Sequence, residues 1–351
     1  MKEYIAFDSH KHYTLMERET CSTGRARQKR IDHDRGAIRR ALAGCEAGTA
    51  VALEATANWY WIVDEIERAG LCASLVHPRK AKLMMGMINK TDRLDVHGLN
   101  RLQRNGTLPT VWIPPGDLRD LRALTRTRIT VAHHRTRLKN RIQATLSKYG
   151  LGVKAYSDCY GKRARQELNA QVAELPTETR YVTGLLLEQL DFVVKQLAEM
   201  ERRLKDLVEV TPEMELLRTL PGVGVILSAT LLLEIGDIGR FPSAEHLAAY
   251  AGTTPRVHAS GGKVRYGRLR PDVNRYLRWG FVEAANSVVV NHTRRPDRHV
   301  SVLYHRIKKR RSHAKAVGAV ARHLAEAAFH ILSRKEPYRD PVLKKGRTRE
   351  A

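Results

Sequence analysis

Two aspartates three residues apart, Asp92 and Asp95, constrain this chain of 351 residues more than any other feature. They open a predicted helix that runs to about Asn105, and at helical spacing their side chains share one face. Two like charges this close repel each other unless a cation or solvent lies between them. The pair therefore predicts either a solvated helix face or part of a cation site.

Two further carboxylates stand at the ends of predicted strands. Asp8 closes the apolar run 4–7, and Glu54 closes the apolar run 50–53. Taken alone, each acid is most often a surface group. Together with the helical pair they form an all-oxygen ligand set, which Mg²⁺ or Mn²⁺ prefers. We therefore expect one divalent-metal site, formed by Asp8, Glu54, Asp92 and Asp95.

The order of the predicted elements indicates the fold class of the first third of the chain. A strand, a turn and a second strand over residues 4–18 precede a basic stretch, 22–30, that is either a loop or a third strand. The patterns then predict an alternation of helix (34–43), strand (49–54), helix (59–69) and strand (72–76). This alternation is typical of an α/β domain with a mixed sheet. With acids at strand ends and on a following helix, the layout is ribonuclease-H-like, and we place this domain at residues 1–113.

The charge of the chain predicts a polyanionic partner. Lys and Arg number 62 against 37 Asp and Glu, a formal net charge of +25. Nucleic acid is the first candidate, and a cytosolic or ribosome-associated protein that is merely basic is the alternative. The four cysteines have no CxxC spacing, which argues against a zinc site and for reduced thiols. The start is unlike a signal peptide and no apolar run could span a membrane, so we expect a cytoplasmic protein that associates with the nucleoid during action.

A basic helical segment is predicted over residues 114–210. Helices over 117–148 and 178–209 carry leucines and isoleucines at helical spacing, which favours an antiparallel pair or a coiled-coil stalk. Basic residues lie between the apolar positions of the first helix, and they indicate either a solvated linker or a face that contacts phosphate. They are Arg119, Arg122, Arg126, Arg128, Arg135, Arg137, Lys139 and Arg141.

Residues 211–334 predict a mainly helical C-terminal domain, followed by a basic tail at 335–351. Residues 217–229 read as helix, tight turn and helix, and the turn contains Gly222 and Gly224. Such a turn exposes backbone N–H groups to phosphate and resembles a helix-hairpin-helix DNA-backbone motif. Glycines also serve close packing at a helical corner, so both interpretations stay open.

The rest of this domain contains a serine in a basic segment. Ser243 is the predicted N-cap of a helix that ends near Gly252. Residues 253–270 predict a polar, glycine-rich loop that holds Ser260, and from spacing alone this serine is an ordinary turn residue. Helices are expected over 272–289 and 317–332, with a segment dense in Arg, Lys and His between them.

Short blocks that match in order over about residues 4–330 carry a family resemblance. In the N-terminal part they are Ile5–Lys11, Leu53–Tyr60 and Lys90–Asp95; in the C-terminal part they are Leu220–Gly224, Glu234–Ile238, Arg240–Phe241, Leu247–Gly252 and Ser260–Gly261. On these blocks the chain resembles the DEDD-type insertion-sequence transposases, which include the bridge-RNA-guided recombinases. Two positions depart from the family. His10 intervenes before Lys11 where Asp-Val-Ser-Lys is common, and Val273 stands before Asn274 where Gly-Asn is common.

The resemblance implies a RuvC-type nuclease domain whose tetrad Asp8, Glu54, Asp92 and Asp95 holds Mg²⁺ or Mn²⁺. It also implies a C-terminal transposase domain in which Ser260 is catalytic. The implied nucleic-acid partners are donor DNA, target DNA and a noncoding RNA of the element that pairs with both. The resemblance also implies a dimer or tetramer, in which the active site is completed either within one chain or across copies.

Within this family a metal-dependent phosphoryl transfer is expected. In one version Ser260 attacks and a 5′-phosphoserine link conserves the bond energy for rejoining; in the other, a water activated at the metal site is the nucleophile. Nucleic-acid contacts are expected from Lys11, Gly222, Gly224, Arg256, Lys263, Arg265 and Arg268.

Two other functional classes stay open. A structure-selective nuclease of the Holliday-junction-resolvase type needs the tetrad but not Ser260. A basic nucleic-acid-binding scaffold with a degenerate site needs neither, so replacing Asp92 would change no activity. For RNA there is no RNP-type aromatic platform, since aromatic residues make up only 6% of the chain. An A-form duplex would be held by shape and by phosphate contacts from the basic helices.

Overall fold

The computed structural model describes residues 3–86, 91–156, 158–207 and 211–341, without the side chain of Arg268. The chain divides into two units, Met1–Pro114 and Pro115–Ala351, and each unit has its own apolar core. Lys90, which precedes the predicted aspartate pair, and the last part of the predicted basic tail lie outside the described residues.

A mixed sheet organises the first unit. Its strands are β1 (Glu3–Ser9), β2 (Tyr13–Thr20), β3 (Ala26–Asp32), β4 (Ala50–Glu54) and β5 (Cys72–Val76). They lie in the order β3-β2-β1-β4-β5. β1, β2 and β3 pair antiparallel, whereas β1–β4 and β4–β5 are parallel pairs. The basic stretch at 22–30, predicted as either a loop or a third strand, contributes to the third strand, β3.

Helices cover both faces of this sheet. They are α1 (Ala37–Ala41), α2 (Trp59–Arg68), α3 (Pro78–Met85) and α4 (Asp92–Arg104). Phe7 and Leu53 point to the face that carries α1 and α2, and Ala6 and Ala52 point to the face that carries α3 and α4. Because side chains alternate along a strand, neighbouring residues of β1 and β4 serve opposite layers. The predicted helix 34–43 is shorter in the structure, since Gly36 precedes it in the left-handed region with φ of +75°.

The second unit begins with two long helices. α5 (Gly116–Lys148) and α7 (Thr177–Leu207) pack along each other, and α6 (Arg165–Ala173) lies between them in sequence. Arg128 near the start of α5 pairs with Glu201 near the end of α7, so the two helices run antiparallel. Their shared core includes Ile142, Leu146 and Leu190, all at most 1% exposed.

The remainder of the second unit is a helical bundle with a β-hairpin. Its elements are α8 (Pro212–Arg218), α9 (Val225–Ile235), α10 (Ala244–Tyr250), β6 (Pro255–Ser260), β7 (Lys263–Leu269), α11 (Arg275–Val290), α12 (His299–Arg310) and α13 (His313–Arg334). α13 contacts α8, α10, α11 and α12 and so lies at the centre of the bundle. Among the described helices none is both long enough and apolar enough to cross a membrane.

One local prediction for this bundle was wrong. The predicted loop 253–270 is the hairpin β6–β7, whose turn residues Gly261 and Gly262 both have positive φ, as a two-residue hairpin turn requires. The basic segment before α13 contains the helix α12. Ser243 is the N-cap residue of α10, as predicted, and its hydroxyl contacts the side chains of Glu245 and His246 rather than a backbone N–H group.

The predicted phosphate-binding face of α5 is partly internal, so the prediction was wrong for its first members. Arg119 and Arg122 are only 7% and 3% exposed. Arg122 donates to the carbonyl oxygens of Leu233 and Glu234 at 2.7 and 2.9 Å. Arg126 donates twice to the Glu234 carboxylate, at 2.6 and 2.8 Å. These arginines therefore attach α5 to the end of α9. Arg137 and Arg141, further along α5, are exposed.

Glu234→Gln should destabilise the second unit strongly, because it removes a fully buried negative charge that faces Arg122 and Arg126. We expect a loss of about 3–5 kcal/mol in the free energy of unfolding, measured by urea denaturation. Glu199→Gln is the matched control, since Glu199 pairs with Arg202 at the surface, and it should leave the urea midpoint nearly unchanged. Equal losses for the two variants would contradict the assignment of Glu234 as the internal counter-ion.

Candidate metal centre and nucleic-acid contacts

Asp8 and Glu54 lie near the carboxyl ends of two neighbouring parallel strands. The register pairs Ala6 of β1 with Ala52 of β4 and Phe7 with Leu53, and the two acids come one position later. By alternation, Asp8 and Glu54 share the sheet face of Ala6 and Ala52, on which α4 packs. The strand pairing thus brings two acids that are remote in sequence to one edge of the sheet.

The other two predicted acids lie in the first turn of α4. Thr91 caps this helix, since its hydroxyl accepts a hydrogen bond from the N–H of Leu94 at 3.3 Å. Asp92 and Asp95 follow, and carboxylates at a helix N-terminus are favoured by the helix dipole. The cap therefore determines where the helix starts and places both acids beside the strand ends.

A buried carboxylate on β2 holds α4 in place. Glu17 is 1% exposed and accepts a hydrogen bond from Asn100 at 3.0 Å, and its other oxygen accepts one from Gln28 at 2.7 Å. His97 Nδ1 lies 3.0 Å from the same carboxylate. Both His97 and Asn100 belong to α4, so these bonds set its rotation on the sheet.

Asp8 and Asp92 come together around a histidine. His10 Nε2 lies 3.2 Å from Asp8 Oδ2 and 3.3 Å from Asp92 Oδ2, and Tyr13 donates its hydroxyl proton to Asp92 Oδ2 at 2.8 Å. One ligand atom from each of Asp8, His10 and Asp92 lies within 4.8 Å of the others. Two carboxylates and one imidazole, half-buried at a sheet edge, fit the ligand chemistry of a divalent cation.

Electrostatics in this cluster oppose ionisation of the innermost acid. Burial raises the pKa of the Asp8 carboxyl above its ordinary value, and the negative charges of Asp92 and Asp95 add to that rise, whereas His10 acts in the opposite direction. Among the described residues the ligand atoms within 4.8 Å of one another come from Asp8, His10 and Asp92, and Asp95 acts on Asp8 through its charge. A bound cation would remove this mutual repulsion.

Sequence reasoning did not single out His10 and Tyr13. Both lie at the turn between β1 and β2, where His10 stacks on Tyr13 with ring centroids 4.6 Å apart. The signal that could have found His10 was its departure from the common motif two positions after Asp8. The predicted contact residue Lys11 is exposed in this turn.

Ser260 is the last residue of β6 and lies directly opposite Lys263 of β7. His258 pairs with Arg265 two positions away, so these four side chains share one face of the hairpin. All four, and Arg256, are exposed. The side chain of Arg268, also predicted to contact nucleic acid, lies outside the described residues. The structure thus places a serine among basic side chains on an open hairpin.

The residues that follow the hairpin are anchored in the bundle. Asn274 caps α11 by accepting hydrogen bonds from the N–H groups of Tyr276 and Leu277 at 3.0 Å, and it donates to Glu234 at 2.8 Å. Val273 packs closely on Gly252, because a Cβ atom added at Gly252 would lie only 2.5 Å from the Val273 side chain. Both ends of the hairpin therefore meet at a packed base.

The two glycines of the predicted phosphate-binding turn differ in their surroundings. Gly222 has φ of +81°, and a Cβ there would lie 2.2 Å from the carbonyl oxygen of Ala284 on α11, so this glycine is required for packing. Gly224 is exposed immediately before α9, and no atom of the described residues lies within 4 Å of the position of a Cβ. Phosphate contact by this turn stays a prediction, and Gly224 is the glycine open to a ligand.

Comparison with known proteins places the chain in a family. A transposase model of the IS110 DEDD type matches residues 8–151, which include the predicted tetrad, and a model for the transposase IS116/IS110/IS902 family matches residues 214–301, which include Ser260.

Curated relatives match over most of their length. The transposase for insertion sequence element IS1111A of Coxiella burnetii is 24% identical over 77% of this chain and 74% of its own length. A probable family 20 transposase of Pseudomonas aeruginosa is 25% identical over 82% and 85%. A pilin gene-inverting protein of Moraxella bovis is 29% identical over 60% and 57%. The chain therefore belongs to the IS110-type DEDD transposases and is an enzyme of DNA transposition and recombination.

Proposed function

We propose that this enzyme cuts and rejoins DNA strands at the ends of an insertion sequence, with a divalent cation held by Asp8, Glu54, Asp92 and Asp95 and with Ser260 as the nucleophile. The observation that carries the proposal is the convergence of Asp8 and Asp92 from a strand end and a helix start to within 4.8 Å. Two carboxylates this close repel each other, and a cation bound between them would remove that cost in free energy.

Each acid has a distinct place in the proposed metal site. Asp8 is the most buried, at 8% exposed, and anchors the cation against the sheet. Asp92 and Asp95 approach from α4, and Glu54 completes the set from β4. When bound, the cation polarises the scissile phosphate and neutralises charge that develops in the transition state.

Ser260 supplies the covalent step. Its Oγ forms a bond to phosphorus while the bond from phosphorus to the 3′ oxygen breaks; the serine loses its proton and the departing 3′ oxygen gains one. The product is a 5′-phosphoserine link and a free 3′ hydroxyl, so a second 3′ hydroxyl can reverse the step and join new strands. The exposed hairpin gives DNA access to Ser260, and Lys263 and Arg265 beside it offer positive charge to the phosphate.

A guide RNA and further copies of the chain complete the proposal. The resemblance to bridge-RNA-guided recombinases supports an RNA that pairs with donor and target DNA, and the net charge of +25 favours binding of such polyanions. α7 leaves Tyr181, Leu185 and Phe192 between 47% and 63% exposed. A helix that exposes large apolar side chains in this way supports a homo-oligomer, as a dimer or tetramer.

Asp95→Ala and Ser260→Ala should each abolish recombination, by at least about 10³-fold, because each removes a group on which the chemistry depends. The assay combines the full-length protein, labelled element-end DNA, RNA transcribed from the element's flank, and Mg²⁺, and products are read on a denaturing gel. Wild type should give a covalent protein–DNA band that both variants lack. Asp120→Ala and Ser147→Ala, which replace exposed residues of α5, are matched controls and should behave as wild type.

Cleavage that survives Ser260→Ala but not Asp95→Ala would overturn the serine step. It would favour the second candidate, a structure-selective nuclease in which water attacks. Activity that survives both variants would contradict the proposed site altogether.

Asp8→Asn should raise the unfolding temperature at pH 7 in the absence of divalent metal. The pKa of the Asp8 carboxyl is higher in the folded protein than its value of 3.8 in the unfolded chain. Protonated Asp8 therefore stabilises the fold below pH 3.8, and this stabilisation is lost as the pH rises through the pKa of the folded state. The advantage of the variant should therefore shrink as the pH is lowered toward 3.8. Thermal unfolding followed by circular dichroism measures both effects.

Divalent metal should reverse the order of stability. Mn²⁺ should raise the unfolding temperature of wild type more than that of Asp8→Asn, because ligand binding to the native state stabilises it. Asp120→Asn, at an exposed aspartate, is the control for removal of a negative charge. A lower unfolding temperature for Asp8→Asn at pH 7 without metal would contradict the electrostatic account of the cluster.

A further inference from the structure

The imidazole of His10 stands between the two acids that converge most closely. We propose that His10 is itself a ligand of the cation and that it makes this site prefer Mn²⁺ to Mg²⁺. The inference rests on the proposed function of the carboxylate cluster and adds a nitrogen ligand to the all-oxygen tetrad.

The distances from His10 to the two carboxylates suit adjacent positions around one cation. Adjacent ligands of an octahedral ion with metal–ligand bonds of about 2.1 Å lie roughly 3.0 Å apart. His10 Nε2 lies 3.2 Å from Asp8 Oδ2 and 3.3 Å from Asp92 Oδ2. A cation can therefore bind all three atoms after small movements.

The surroundings of His10 hold its ring at this position. Its backbone N–H donates to the carbonyl oxygen of Tyr13 at 2.8 Å, and its carbonyl oxygen accepts from the Asn58 side chain at 2.8 Å. Its ring stacks on Tyr13 with an interplanar angle of 28°, and the guanidinium of Arg30 lies 4.0 Å from the centroid of the Tyr13 ring. A donor fixed by its neighbours loses little freedom when it binds a metal.

The chemistry of this donor set selects among metals. Mg²⁺ prefers oxygen ligands and retains water, whereas imidazole nitrogen favours first-row transition metals. Mn²⁺ is the transition ion that carboxylates also suit, so two or more carboxylates with one imidazole favour it over Mg²⁺. Histidine at position 10, where the family motif commonly has another residue, would therefore shift the metal preference of the site toward Mn²⁺.

Electron spin-echo spectroscopy of Mn²⁺ bound to the full-length protein tests the inference without relying on activity. Wild type should show the ¹⁴N modulation of a coordinated histidine. His10→Phe, which retains an aromatic ring to stack on Tyr13, and His10→Ala should both lose that modulation. His12→Ala is the matched control at an exposed histidine of the same turn and should retain it.

Metal titrations of the same proteins give the second readout. The dissociation constant for Mn²⁺, measured from the free-ion EPR signal, should rise by about 10-fold or more in both His10 variants. The constant for Mg²⁺, measured by competition with Mn²⁺, should change by less than about 3-fold, so the preference for Mn²⁺ should fall.

Three results would overturn the inference, and they are distinguishable. Mn²⁺ that binds wild type without ¹⁴N modulation would exclude His10 as a ligand and leave the proposed carboxylate site intact. Modulation that persists in both His10 variants would assign the nitrogen to another histidine. Mn²⁺ binding that is absent, or that is unaffected by Asp92→Ala, would overturn the proposed metal site together with this inference.

Discussion

The attachment of α4 to the sheet is the contact on which the candidate metal centre depends. Glu17, buried on β2, binds Asn100 and His97 of that helix, and the small side chains of Ala6 and Ala52 let the helix lie close. A rotation of α4 by one residue would turn its face by about 100° and move Asp92 away from Asp8. The hydrogen bonds around Glu17 therefore affect the candidate metal centre indirectly, by fixing the position of α4.

A second buried carboxylate has the same kind of role in the bundle. Glu234 binds Arg126 on α5 and Asn274 at the start of α11, and so joins three helices at one point. The base of the hairpin that carries Ser260 lies at this point, because Val273 packs against Gly252 there. In both units an internal acid holds the scaffold, while the residues proposed for chemistry stand at its edge.

The sequence predicts what depends on local pattern. Apolar periodicity placed the strands and most helices of the first unit within a few residues, but it did not predict α3. The hairpin around Ser260 was missed because both of its faces are exposed, so polar residues conceal the alternation of a strand. Buried Arg122 was missed because its partners lie on α9, and helical spacing does not encode a tertiary contact. His10 was overlooked because its position beside Asp92 depends on how α4 packs.

We propose that Asp8 and Asp92 are brought together to hold one divalent cation. The most direct measurement is anomalous diffraction from crystals of the full-length protein grown with Mn²⁺. The account predicts an anomalous peak within about 2.3 Å of an oxygen of Asp8 and of an oxygen of Asp92. A well-ordered map with no peak between these two side chains, or with Mn²⁺ bound only elsewhere on the protein, would contradict it.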